Sequence, residues 1–161
     1  NAEIDVLNAL ESVGIKPEFL QRFESILVFS TLSEATLRRI AKSMLTSLLV
    51  KLRNRGVDVR LPKPKSWGQY GFRQQNGDPI IEDEVTMFII QERMNSGKSS
   101  QSGARKIKTT INREVMDIIL KAVDEHKQDG VTKFNLSTKG AMFYNVDDGS
   151  SRGRIVANPI E

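Results

Sequence analysis

Apolar residues recur at the three- and four-residue spacing of α-helices in four stretches of the chain. The longest stretch, 34–55, follows Ser33, whose hydroxyl can accept hydrogen bonds from backbone amides at a helix start, and it precedes Gly56, a typical helix stop. Its predicted core stripe contains Leu37, Ile40, Ala41, Met44, Leu45, Leu48 and Leu52. Shorter helices are predicted at 4–13, 82–94 and 104–126.

Other stretches have the alternation or the apolar composition of β-strands. Residues 57–61 alternate apolar and polar side chains, and Pro62 ends the pattern. A short apolar run covers 25–29. Residues 134–136 and 142–146, with a Lys-Gly pair between them, predict a hairpin. Together with the helices, these strands predict an α/β fold.

Two polar segments interrupt or follow this pattern. Residues 63–79 are rich in Gly, Pro and Gln and read as an inserted loop or hairpin that carries Trp67, Tyr70 and Phe72. These aromatic side chains either pack on their own domain or form a partner-docking surface, and the packed hairpin is favoured because such side chains usually cover something. The tail, 147–161, is rich in Gly, Ser and charge, and it is expected to be mobile.

Composition limits the kinds of protein this chain can be. With 161 residues, of which 39% are hydrophobic, it can form a core of ordinary size. No apolar run is long enough to cross a bilayer and the first residues do not read as a signal peptide, so a cytoplasmic chain without a membrane partner is expected. The absence of cysteine excludes disulfides, and the single histidine, His126, is expected to be solvated near a helix end, so no metal site is predicted.

The formal charge of +4 leaves two interpretations open, nucleic-acid binding or a basic surface that faces something acidic. Much of the excess lies in the long helix, in Arg38, Arg39, Lys42, Lys51, Arg53 and Arg55. No aromatic residues interleave with these basic ones to stack bases, so a solvated helix face is favoured and nucleic-acid binding is not expected. A stand-alone basic module that binds nucleic acid or a protein partner remains the alternative function.

A Gly-Lys-Ser triplet at 97–99 raises the question of a phosphate-binding loop. That loop needs a glycine five residues before Gly97, because bare backbone must curl around the phosphate, and Glu92 stands there instead. Glu92 also belongs to a predicted helix rather than to a strand. A polar loop between two helices is therefore the favoured interpretation.

Three segments, taken in order, resemble the C-terminal region of Clp-type AAA+ ATPases, which unfold or disaggregate proteins. The segment KPEFLQRFESILVF at 16–29 is similar to the end of the family's large ATPase domain, and LSEATLRRIAKSML follows it as a capped helix. GARKIKTTINREV at 103–115 resembles the Gly-Ala-Arg segment that opens a helix of the small, or lid, domain. KFNLSTKGAMFYN at 133–145 resembles the closing strands of that domain.

The resemblance implies a domain organisation. Residues 1–30 would be the terminal helix and strand of the large domain, and 31–146 would be the lid domain, an α/β unit with helices packed on a small sheet. The segment 63–79 would be an insertion in the lid, and 147–161 a tail. Gln21 and the Phe-Glu pair at 23–24 depart from the family pattern, which together with the insertion suggests a divergent branch.

The resemblance also assigns site residues. Arg22 would be the arginine finger that reaches ATP in the neighbouring subunit, whereas spacing alone would favour an exposed arginine paired with Glu18. Arg105, with Gly103 and Ala104 at the helix start, would be the second sensor of the subunit's own ATP. Ile40 is a weaker candidate for the adenine wall, because core packing explains an apolar residue on that helix.

Cofactor and partners follow from the same resemblance. The full-length protein would use ATP with Mg²⁺, and its phosphate loop would lie upstream of this chain, so the fragment alone is expected to bind no cofactor and to be inactive. Other copies in a ring, expected to be a hexamer, and a protein substrate would be the partners. The apolar strand at 26–29 would lack its sheet neighbours in the fragment, so it is expected either to fold back onto its own surface or to pair with a second copy, and the dimer is the favoured outcome.

Overall fold

The computed structural model of the chain describes residues 2–14, 16, 33–95, 103–140 and 153–161. The chain divides into two compact units, Asn1–Thr31 and Leu32–Glu161. The first unit contains helix α1 (Ala2–Ser12), and Gly14 after it has a φ of 94°, the left-handed conformation in which many helices end. Arg22 and the predicted strand at 25–29 lie outside the described residues, and their roles stay predictions.

The second unit is a mixed α/β structure. Its helices are α2 (Glu34–Asn54), α3 (Glu84–Asn95), α4 (Gly103–Ile111) and α5 (Asp117–Glu125), with a π-helical turn, Asn112–Met116, joining α4 to α5. Its strands are β1 (Asp58–Arg60), β2 (Lys65–Ser66), β3 (Ile81–Glu82), β4 (Lys133–Lys139) and β5 (Arg154–Pro159). The predicted α/β class is confirmed at this level.

Helix α2 matches its prediction closely at both ends. The Ser33 hydroxyl accepts a hydrogen bond from the Thr36 amide at 3.2 Å, as an N-cap does, and Gly56 follows the helix with a φ of 90°. The buried residues are Leu37, Ala41, Leu45, Leu49 and Leu52. Leu49 was absent from the predicted stripe, whereas Ile40, Met44 and Leu48 are only half-buried at its edges.

Strand β4 is the central strand of a three-stranded sheet with the order β1–β4–β5. Strand β1 runs parallel to it, with Asp58 opposite Lys133, and β5 runs antiparallel, from Pro159 opposite Phe134 to Arg154 opposite Lys139. A parallel pair needs a crossover connection, and the chain from β1 to β4 supplies one through α3, α4 and α5.

This sheet corrects two predictions. The predicted hairpin paired 134–136 with 142–146. That pairing is wrong at Phe134 and Asn135, because β1 and β5 occupy both edges of β4 at these two residues. Residues 142–146 themselves lie outside the described part of the chain. The mobile tail is wrong for Arg154–Pro159, because that whole strand pairs with β4 and buries Ile155 against the core.

The four helices and the sheet share one apolar core. Leu45 of α2, Ile89 of α3, Ile107 of α4, Ile119 of α5 and Phe134 of β4 are all fully buried in it. The single helix predicted at 104–126 is confirmed in extent, but it contains the π turn. Apolar residues in this helix recur at every fourth position. Around a regular α-helix such a stripe would drift by about 40° per repeat, and the wider π turn reduces that drift. His126, expected to be solvated, is half-buried at the C-terminal end of α5.

The inserted segment packs on its own unit, as predicted. Strands β2 and β3 pair in an antiparallel fashion, and Trp67, next to β2, is 1% exposed in a small second core with Ile80 and Met87 of α3. Phe72 packs against the same core, whereas Tyr70 is 51% exposed. The segment from β2 to β3 therefore braces the start of α3.

Candidate functional site

The Gly-Ala-Arg segment forms the first turn of α4. Gly103 is the first residue of the helix, Ala104 is half-buried and Arg105 is exposed. The carbonyl of Arg105 accepts a hydrogen bond from the Thr109 hydroxyl at 3.0 Å, so the backbone at this position is already part of the regular helix. No acidic residue stands in this first turn. The guanidinium of Arg105 makes no ion pair with any carboxylate of the described residues.

Of the other predicted site residues, Ile40 lies in the described part of the chain and Arg22 does not. Ile40 lies half-buried on α2, which packs against α4, so Ile40 and Arg105 stand on neighbouring helices. Ile40 lies three residues, or about one helical turn, before Ser43, and Arg105 lies three residues before Lys108. Ser43 and Lys108 both line the groove between these helices. Arg22 lies outside the described residues, and its assignment to the site stays a prediction.

The groove between α2 and α4, which we name the basic groove, has a volume of about 350 Å³. Its apolar floor consists of Met44, Leu48 and Ile111, and Lys51, Lys108 and Asn112 stand at its rim. Among the described residues that line it, none is acidic and none is aromatic. Its chemistry suits an apolar group that carries negative charge at its edge.

A second polar cluster lies at the start of α3 and was not predicted from the sequence. Asp83 is fully buried and caps the helix: its Oδ1 accepts from the Thr86 amide at 2.8 Å, and its Oδ2 accepts from the Thr86 hydroxyl at 2.7 Å. The carboxylate of Glu82 accepts a hydrogen bond from the amide of Asp83 at 3.0 Å. Two amides at the beginning of α3, those of Asp83 and Thr86, are therefore satisfied by side chains of this chain.

Lys42 of α2 pairs with both carboxylates of this cluster, and its single positive charge offsets one of their two negative charges. Its Nζ donates to Glu82 Oε1 at 3.0 Å and also to Asp83 Oδ2. Burial alone would raise the pKa of Asp83, but the hydrogen bonds from Lys42 and Thr86 and the lysine charge outweigh it and lower that pKa. Burial would lower the pKa of Lys42, but its bonds to Asp83 and Glu82 outweigh it and raise that pKa. Both directions stabilise the charged pair.

The sequence contained a signal for this cluster. Asp83 followed by Thr86 is the pattern of an N-cap and a residue three positions into a helix, but the helix was predicted to begin at 82, which placed Asp83 inside it. The contribution of Lys42 depends on a contact across about forty residues of sequence, and no local pattern reveals such a contact. The cluster joins α2 to α3 and is fully satisfied internally.

No group of three or more His, Asp or Glu side chains within 2–14, 33–95, 103–140 and 153–161 could hold a metal ion. No helix in the described part of the chain is both long enough and apolar enough to cross a membrane.

Comparison with known proteins adds no assignment to this geometry: no protein-family model matches the chain, and no curated protein matches it with significant sequence similarity.

Proposed function

We propose that this chain is the C-terminal portion of a Clp-type AAA+ ATPase, with residues from 31 onwards forming its lid domain. The proposal is supported by the three resembling segments and by agreement between their positions and the elements they would form. The serine that would cap the first lid helix caps α2. The Gly-Ala-Arg segment opens α4, and the segment that would close the domain contains the central strand of the sheet.

The observation that carries the functional part of the proposal is the state of Arg105. It is exposed in the first turn of a helix with no acidic residue beside it, and it has no carboxylate partner among the described residues. The positive end of a helix and its free amides favour phosphate at such a position. A guanidinium adds a planar, always charged fork that matches two phosphate oxygens. Arg105 would therefore bind the terminal phosphate of ATP as the second sensor.

Arg22 would supply the other positive charge from a neighbouring subunit. Negative charge builds on the phosphoryl oxygens during transfer, and an arginine that reaches them stabilises this charge when it is most developed. In the proposed ring, each copy would lend Arg22 to the next one. Loss of the terminal phosphate would release Arg105, and the lid domain could then rotate against the large ATPase domain, which would couple hydrolysis to work on a protein substrate.

ATP with Mg²⁺ would supply the phosphoryl group and its charge-neutralising ion. The described residues fit the phosphate at Arg105, but they contain no carboxylate group suited to the ion. The proposal therefore assigns no Mg²⁺ ligand to this chain.

The test uses the complete protein that contains this chain, assembled and supplied with ATP. Arg22→Ala is expected to lower ATP turnover by about a thousandfold or more while nucleotide binding is largely kept, because the finger acts on transition-state charge. Arg105→Ala is expected to lower both turnover and nucleotide affinity. Arg113→Ala, which removes an exposed arginine two turns along the same helical segment, is the matched control and should behave as the wild type. Normal turnover in an assembled Arg22→Ala ring would contradict the finger assignment.

A further inference from the structure

The basic groove between α2 and α4 has a chemistry that the proposed ATPase does not use. We propose that it binds an acidic amphipathic helix from a partner protein, with the apolar side chains of that helix on the groove floor and its carboxylates on Lys51 and Lys108.

The charge of the basic groove complements an acidic partner. Lys51 and Lys108 are exposed at the rim, and no carboxylate of the described residues forms an ion pair with either of them. The basic surface continues along the outer side of α2 to Arg39, which is also exposed. Lys42, by contrast, is satisfied by Glu82 and Asp83. The groove therefore presents unneutralised positive charge that a partner carboxylate would complement.

The apolar floor of the groove suits the apolar side chains of a protein segment. Met44 and Leu48 face the groove and are only half-buried, and Val50 on the adjoining surface is 48% exposed. Methionine side chains adapt to varied apolar partners. A nucleic acid would use the lysines but would leave this floor uncovered, and no aromatic residue among the described lining is available to stack a base. The combination favours a protein segment.

The length of the groove matches a short stretch of helix. The part of α2 that lines the groove runs from Ser43 to Lys51, a length of about 12 Å, which corresponds to two turns of a docked helix. The π turn begins at Asn112 on the opposite wall, where the Asp117 amide bonds the Asn112 carbonyl. Such wide turns inside helices occur frequently at functional sites. A helix with apolar residues at i, i+4 and i+7 and glutamates beside them fits these dimensions.

The test titrates the full chain with a synthetic helical peptide of that design and follows backbone amide shifts by NMR. The amides of Ser47, Lys51, Lys108 and Asn112 are expected to shift together. The Lys51→Glu/Lys108→Glu variant is expected to bind at least about tenfold more weakly, because two complementary charges become repulsive. The matched control, Lys121→Glu/Lys127→Glu, makes the same change in net charge at exposed positions away from the groove and should keep wild-type affinity.

Several results would overturn the proposal. Equal binding of a peptide in which lysines replace the glutamates would remove the charge argument, and absence of binding or shifts at other residues would remove the site. A DNA duplex that displaces the peptide and shifts the same amides more strongly would assign the groove to nucleic acid. Self-association of the chain that the Lys51→Glu/Lys108→Glu variant abolishes in sedimentation would assign the groove to a second copy.

Discussion

Helices α3 and α4 begin in opposite ways. The start of α3 is closed: the buried carboxylate of Asp83 accepts from the Thr86 amide at 2.8 Å, and Lys42 neutralises its charge. The start of α4 has no acidic residue in its first turn and presents the exposed side chain of Arg105. One helix start is neutralised by the chain itself, and the other keeps a positive charge available to an external anion.

The difference separates a charge that is paired within the fold from a charge that is left exposed. Both helix starts carry the same partial positive charge from their backbone amides. At α3 that charge is paired with Asp83, which with Lys42 holds the helix against α2 and the β2–β3 segment. Substituting either residue should therefore lower the free energy of unfolding. At α4 the charge and Arg105 contribute little to the fold, so substitution there should change binding and leave stability intact.

The largest expected effect is on the closed side, at Trp67. Its indole Nε1 donates to the Glu82 carbonyl at 2.8 Å, and its ring fills the small core beside α3. Trp67→Ala should lower the free energy of unfolding by about 4 kcal/mol, because a large buried aromatic side chain leaves a cavity. Urea denaturation measures this change. Tyr70→Ala, at a residue that is 51% exposed, is the control and should cost less than about 1 kcal/mol.

The next effect is a pH-dependent one at Asp83. Its folded pKa lies below the unfolded value of about 3.8, so its contribution to stability is present above that value and is lost as the pH falls through the folded pKa. Asp83→Asn should lower the free energy of unfolding by about 2 kcal/mol at neutral pH, since Lys42 loses a buried partner but stays partly solvated. The difference between the two proteins should narrow below about pH 4.

Denaturation curves at pH 7, 5, 4, 3 and 2 check this prediction. The control is Asp117→Asn, at an exposed carboxylate in α5, which should change stability by less than about 0.5 kcal/mol at every pH. A wild-type advantage over Asp83→Asn that stays constant down to pH 2 would show that the charge of Asp83 has no part in closing the start of α3.

The fold could be predicted where one segment carries its own signals. Ser33, the apolar stripe and Gly56 together defined α2, and the aromatic residues of the insertion indicated a packed hairpin. Strand β5 was missed because its partner β4 lies about twenty residues earlier and the sequence between them resembles a loop. Pairing over that distance depends on which edge of β4 is free, and the alternation of side chains in β5 does not contain that information.

Part of the candidate site could also be predicted from the sequence, and part could not. The Gly-Ala-Arg segment could be located at a helix start because its resemblance is local, and Arg105 lies there, exposed. The Lys42 cluster and the basic groove could not be found in this way, because each joins residues of two helices that are distant in the sequence. The π turn, whose first residue, Asn112, lines the groove, was also not predicted from the sequence.

The substitution with the smallest expected effect on stability should have the clearest effect on the response to nucleotide. Arg105→Ala is expected to change the free energy of unfolding by less than about 0.5 kcal/mol, because the side chain is exposed and has no ion pair among the described residues. The same substitution should alter the response to nucleotide. This contrast with Asp83→Asn distinguishes the open helix start from the closed one.

The most direct test of the proposed function compares the affinities of the complete protein for ATP and for ADP, in the wild type, in Arg105→Ala and in the Arg113→Ala control. If Arg105 binds the terminal phosphate, the wild type and the control will prefer ATP, and Arg105→Ala will lose about tenfold of that preference while ADP affinity changes little. An unchanged preference for ATP in a folded Arg105→Ala protein would contradict the assignment of Arg105 as the second sensor.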